Sequence, residues 1–162
     1  MQKHTGTPLH PALIIAGAAF AAFMSKLDSY VVNISLPVIA AQYNAGTGAV
    51  SNVVVAFLLF STSTLLLAGK LGDRFGHKKI FLWGYFTFTA SSLVCGLAPS
   101  LGFLIAARCL QGLGSAMMYT MAFSAISAFI PRHMTGRAFS ALSAAAALGM
   151  LVGAPLGGFL TQ

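Results

Sequence analysis

Asp28, with Arg108 as a candidate partner, is the residue of this chain best suited to holding and releasing a proton. Each lies inside a long apolar run, where a charged side chain costs roughly 2.5 to 3.5 kcal/mol on insertion scales. Such a residue normally faces a bundle interior or an aqueous cavity and has a partner. Asp28 is too short to reach a membrane surface, unlike Lys26, whose long stem can snorkel. If the first run enters near Ala12, Asp28 lies about 24 Å along its axis. If the fourth enters from the opposite side near Leu101, Arg108 lies about 10 Å down. Both depths fall in the same half of a hydrocarbon core of about 30 Å, which permits a pair. A proton and a guanidinium then compete for one carboxylate. Gln111 shares a helix face with Arg108.

Other chemistries are poorly supplied. The chain holds two acids, and its four histidines (His4, His10, His77 and His133) lie in or near loops without metal-ligand spacing. The convergent nucleophiles, carboxylate pairs or metal ligands of an enzyme are not in evidence, and no metal or cofactor is expected. Cys95 and Cys109 lie within apolar runs and read as small buried apolar residues.

The elements that must position these residues follow from composition. Of 162 residues, 57% are hydrophobic and 7% charged, against about a quarter charged in soluble domains. A chain this apolar needs lipid as solvent. The net charge of +7 would suggest nucleic acid in a soluble protein, but here the basic residues cluster in short loops on one side, and no nucleic-acid partner is expected.

Continuous apolar runs, rather than alternating ones, indicate helices. The chain reads as an incomplete N-terminal transmembrane domain, 1–162, with spans at roughly 12–40, 49–68, 80–98, 101–130 and 138–161. The first is expected to break near Pro37. An odd span count with no polar tail reads as a truncated chain or a naturally short one. The segments around Asn44 and Ser100 carry no charge, whereas Lys3, the residues 70–79 and the Arg132–Arg137 segment are basic. The basic loops share one side, so the N-terminus is expected in the cytoplasm and the protein in the cell membrane.

The segment Gly69-Lys70-Leu71-Gly72-Asp73-Arg74-Phe75-Gly76-His77-Lys78-Lys79 reads as a glycine-punctuated loop with four of the nine Lys and Arg residues. Lys70 is expected just past the end of the second helix, and Asp73 is expected ionised and paired among the cations. In the fifth span, Gly149, Gly153, Gly157 and Gly158 with Pro155 suit both close helix packing and a bend at the proline.

Together these residues resemble the major facilitator superfamily. Gly69 to Lys79 is similar to its signature between helices two and three, with His77 where Arg is common. Arg108, Gln111, Gly112 and Gly114 resemble its fourth-helix motif. Leu27 to Pro37 resembles the first-helix signature of the drug:proton antiporter branches, especially the fourteen-helix one. Gly149 to Gly158 resembles the antiporter motif of helix five, departing from it at Ala154, Pro155 and Ser140, which weakens antiport against symport.

The resemblance implies an all-α membrane protein: the N-terminal part of a major-facilitator helical bundle, here five transmembrane helices of a twelve- or fourteen-helix parent built from inverted repeats. It implies a proton-coupled exporter of drugs or other small amphipathic compounds working by alternating access, with a sugar or organic-acid symporter, or a non-transporting membrane assembly partner, as alternatives. The proton gradient, and no cofactor, supplies energy. Asp28 and Arg108 would couple protons. Asn33 and Gln111 would face substrate. Gly69, Gly72, Asp73, Arg74, Gly76 and Lys78 would latch the two halves, the second supplying the partner. Gly149, Gly153, Pro155, Gly157 and Gly158 would form a hinge.

Overall fold

The structure, a computed structural model, describes residues 11–160. Lys3, His4, His10 and Thr161, the last residue of the expected fifth span, lie outside the described residues. Five helices follow in order: α1 Pro11–Gln42, α2 Thr47–Phe75, α3 His77–Gly96, α4 Leu101–Phe129 and α5 Arg132–Leu160. Four of them, α1, α2, α4 and α5, are long and apolar enough to cross a membrane by length and composition. α3 falls short of that mark, because its first turn holds His77, Lys78 and Lys79. Large side chains such as Leu66 and Leu97 face outward at 82% and 83% exposure. Apolar residues outside and polar ones within is the arrangement of a chain solvated by lipid.

α4 is the hub of the bundle, and small residues explain why. A Cβ on Gly112 would lie 2.5 Å from the Phe57 carbonyl oxygen of α2. A Cβ on Gly114 would lie 2.6 Å from the Phe88 amide nitrogen of α3. These glycines, two positions apart, admit a backbone on either side of α4. α3 returns the approach through Gly84, whose added Cβ would meet Met118 at 2.9 Å. Met118 and Met121 are fully buried and fill the space between these helices.

α1 and α5 run parallel and bury the third seam. Gly149, Gly153 and Gly157 face Phe23, Leu27 and Val31 of α1 in register, each step four residues. The four-residue spacing keeps the glycines on one face, and the missing side chains let the backbones meet. Gly158 does not belong to this stripe, since a Cβ there would meet nothing within 4 Å. Buried Ala18, Ala21 and Ala22 give α1 a similarly smooth face.

Two local expectations are corrected. The Gly69–Lys79 segment is not a loop: α2 continues to Phe75, α3 begins at His77, and only Gly76 stands between them. Lys70 therefore lies within α2, not beyond it. Gly76 has φ +94 and its amide donates to the Gly72 carbonyl at 2.9 Å, so the reversal takes one left-handed residue, for which glycine is best suited. α1 likewise runs unbroken through Pro37. A membrane-spanning helix tolerates a proline that isolated-helix propensity would make a stop.

Candidate functional site

The centre of the bundle is a polar cluster donated by three helices. α1 presents Asp28, α4 presents Arg108 and Gln111, and α3 presents Ser92 and Cys95. α1 and α4 are antiparallel, so their polar residues pair in reverse order. Arg108 Nη1 donates to Asp28 Oδ2 at 2.6 Å and to Gln111 Oε1 at 2.5 Å. Gln111 Nε2 donates to Asp28 Oδ1 at 2.9 Å and to Ser92 Oγ at 3.1 Å. The Cys95 thiol, 3.8 Å from Gln111 Oε1, donates to it. Both carboxylate oxygens and both ends of the amide are thus engaged.

The cluster is deeply placed. The side chain of Arg108 is 2% exposed and that of Asp28 16%. Burying one charge alone would be costly, and the short ion pair offsets that cost. The guanidinium also lies over the Phe57 ring of α2, 5.1 Å from its centroid, a cation–π contact. Its Nε is buried and has no hydrogen-bond partner among the described residues. Farther along the same α1–α4 seam, buried Ser25 and Ser115 share a hydrogen bond of 3.1 Å.

The other singled-out residues lie elsewhere. Asn33 is exposed and donates its amide to the Ser29 carbonyl at 2.9 Å, so it is not joined to the Asp28 cluster. Cys95 and Cys109 are half-buried rather than fully buried. Cys95 makes a polar contact, its thiol meeting Gln111. Asp73 is 79% exposed and has His77 as an ionic neighbour at 3.8 Å, one helical turn on; Arg74 stacks on Phe75.

The three glycines of the basic segment differ. A Cβ on Gly72 would lie 2.5 Å from the tip of Met121 on α4, whereas one on Gly69 would make an ordinary 3.8 Å contact with Thr120. Gly76 makes the turn. Pro155 lies within α5, which continues through it.

Phe57, Ser92 and Cys95 are the participants that sequence reasoning missed. Phe57 carries no signal in an apolar helix. Ser92 and Cys95 do: they are polar residues three apart, hence on one face of an otherwise apolar stretch. No group of three or more His, Cys, Asp or Glu that could hold a metal ion occurs among the described residues.

The ends of the bundle differ in charge. At one end Tyr43, after α1, donates its hydroxyl to the Ala98 carbonyl after α3 at 2.7 Å, tying the two uncharged connections together. At the other, Gly72, in the last turn of α2 before the basic reversal, packs against the side chain of Met121 on α4.

Comparison with known proteins agrees with this architecture. The family model described as Major Facilitator Superfamily matches residues 18–162. An uncharacterized MFS-type transporter, Rv1250, of Mycobacterium tuberculosis is 44% identical over 140 residues, covering 86% of this chain and 24% of the relative. The riboflavin transporter RibZ of Clostridioides difficile is 32% identical over 140 residues, covering 86% and 31%. A candidate multidrug resistance protein, MdtD, of Pectobacterium carotovorum is 35% identical over 144 residues, covering 89% and 31%. The chain thus spans less than a third of the length of these relatives. With the family model matching most of its residues, the chain belongs to the Major Facilitator Superfamily of membrane transporters.

Proposed function

We propose that this chain forms part of a proton-coupled secondary transporter that exports drugs or other small amphipathic compounds by alternating access. The observation that carries the reading is the buried Asp28–Arg108 pair with Gln111 bonded to both members. A carboxylate held this way is stable while charged. A proton arriving on it cancels the attraction and leaves Arg108 without a counter-ion. The guanidinium must then find another partner, and that demand couples proton binding to helix movement. Likeness to MdtD supports a drug-like substrate.

The remaining roles complete the proposal. The N-terminus is cytoplasmic and the protein resides in the cell inner membrane, with its basic α2–α3 turn on the cytoplasmic side. Gly69, Gly72, Asp73, Arg74, Gly76 and Lys78 form a latch whose partner is the other half of the transporter. Gln111 and Asn33 meet substrate. Gly149, Gly153, Pro155, Gly157 and Gly158 form the segment over which α1 and α5 adjust. The proton gradient supplies the energy, without a cofactor.

Transport in proteoliposomes tests this. Asp28→Asn in the full-length protein is expected to abolish proton-driven substrate movement while leaving membrane insertion intact. Unchanged pH dependence would remove the basis of the proposal. A second reading is symport of a sugar or organic acid; the likeness to a riboflavin transporter supports a solute other than a drug. The direction in which an imposed proton gradient drives substrate separates the two.

A further inference from the structure

The hydrogen bonds around Gln111 have a polarity that depends on the charge of Asp28. In the observed arrangement the Gln111 amide nitrogen donates twice, to Asp28 Oδ1 and Ser92 Oγ, and its oxygen accepts from Arg108 and from the Cys95 thiol. Each of these contacts suits an ionised carboxylate, which only accepts. A proton taken from the medium onto Oδ1 makes that atom a donor. It then faces the Gln111 N–H across 2.9 Å, donor against donor.

A half-turn of the amide removes the conflict. Gln111 Oε1 would then accept from the protonated Asp28, and Nε2 would point toward Arg108 and Cys95. In most buried sites such a reversal would orphan other bonds. Here it does not, because the α3 partners are a hydroxyl and a thiol. Each can donate or accept. Ser92 would change from acceptor to donor and Cys95 from donor to acceptor. Only Arg108 has no such freedom, since a guanidinium cannot accept. It loses the Asp28 charge and the Gln111 oxygen together, and meets an N–H instead.

We infer that Gln111 is a proton-state switch whose side-chain amide reverses when Asp28 is protonated, with Ser92 and Cys95 as the α3 positioning residues that satisfy both orientations. This rests on the reading of Asp28 as the proton site. It adds a route by which one proton displaces Arg108 and re-poles the α3–α4 contact. Few other groups compete. Arg108 is the charged residue bonded to Asp28, and Cys95 is the titratable group joined to the cluster from α3. α2 offers the Phe57 ring. α5 carries no titratable side chain from residue 138 to 159, and on α1 Lys26 is half-buried two residues away.

The thiol provides a direct readout. Infrared spectra of the full-length protein in proteoliposomes, with every cysteine except Cys95 replaced, report the Cys95 S–H stretch. The band is expected to move to higher frequency as Asp28 is protonated, when the thiol stops donating to the amide oxygen. In Asp28→Asn it is expected to stay fixed across the titration. Ser92→Ala is expected to slow the pH-driven step about tenfold, the effect of losing a typical buried hydrogen bond. Ser92→Thr, which keeps the hydroxyl, is expected to restore it.

An S–H band that does not move, in a protein whose coupling is still abolished by Asp28→Asn, would overturn the switch and leave the proton site standing. PH-dependent transport unchanged by Asp28→Asn would overturn both.

Discussion

Asp28 and Arg108 matter as a pair more than as individuals. An Arg108 side chain at 2% exposure tolerates its charge because Asp28 answers it. Removing one partner leaves the other buried and uncompensated, which costs about 3–5 kcal/mol in well-studied cases. Arg108→Gln is therefore expected to lower thermal stability in detergent by more than the double variant Arg108→Gln/Asp28→Asn, which leaves no orphaned charge. A double-mutant cycle on the melting transition checks this, and strictly additive losses would argue against the pair. Arg108→Lys is not a conservative replacement, because a compact ammonium cannot reproduce the planar group that bridges Asp28 and Gln111 over the Phe57 ring. At this scale the acid, the guanidinium and Gln111 were legible in the sequence, since charge and amide inside an apolar run stand out. Cys95 was read only as a small apolar residue and Ser92 not at all, although their three-residue spacing puts both on one face.

At the scale of helices, glycine positions decide which backbones can meet. Gly112 and Gly72 make the contrast. A Cβ on Gly112 would strike the Phe57 carbonyl, part of a rigid helix, at 2.5 Å; one on Gly72 would strike the flexible end of Met121 at the same distance. Gly112→Ala is expected to displace α2 from α4 and sharply reduce the yield of folded protein, whereas Gly72→Ala is expected to be accommodated by a rotamer change in Met121. Size-exclusion profiles and melting temperatures of the two variants check this. Equal behaviour would show that the α2–α4 seam is not backbone-limited.

The α5 stripe allows a similar comparison. Gly153→Leu is expected to separate α5 from α1, while Gly158→Ala, facing open space, is expected to be neutral or to add a few tenths of a kcal/mol through helix propensity. The basic segment shows where reading glycines as turn markers fails. Gly69 and Gly72 are helical, and only Gly76, at φ +94, is needed for its backbone.

For the whole molecule, the separation of charged and uncharged ends turns an arrangement of helices into a membrane topology. Cysteines at positions 44 and 77, introduced one at a time into a version of the protein lacking Cys95 and Cys109, are expected to react with a membrane-impermeant reagent from opposite faces. Reaction of both from one face would break the topology and the transport reading that depends on it. Residues 1–162 alone in liposomes are expected to give no vectorial transport, because the latch and the cavity wall of the proposed mechanism require a second half. Tracer flux through purified residues 1–162 measures this directly.

The distribution of apolar and basic residues along the chain was enough to establish a helical membrane protein, because hydrophobic run length and loop charge are one-dimensional properties read by lipid and water. The same holds for the unusual placement of Asp28 and Arg108, whose depth along each run is itself a one-dimensional property. Which side chains converge was settled in three dimensions. Residues 80 and 83 positions apart meet at Asp28 only because each helix is turned about its axis to a definite angle. That angle is set where Gly84, Gly112, Gly114 and Gly149 let neighbouring backbones close. The same rotation leaves Asn33 exposed and brings Ser92, Cys95 and Phe57 to the centre.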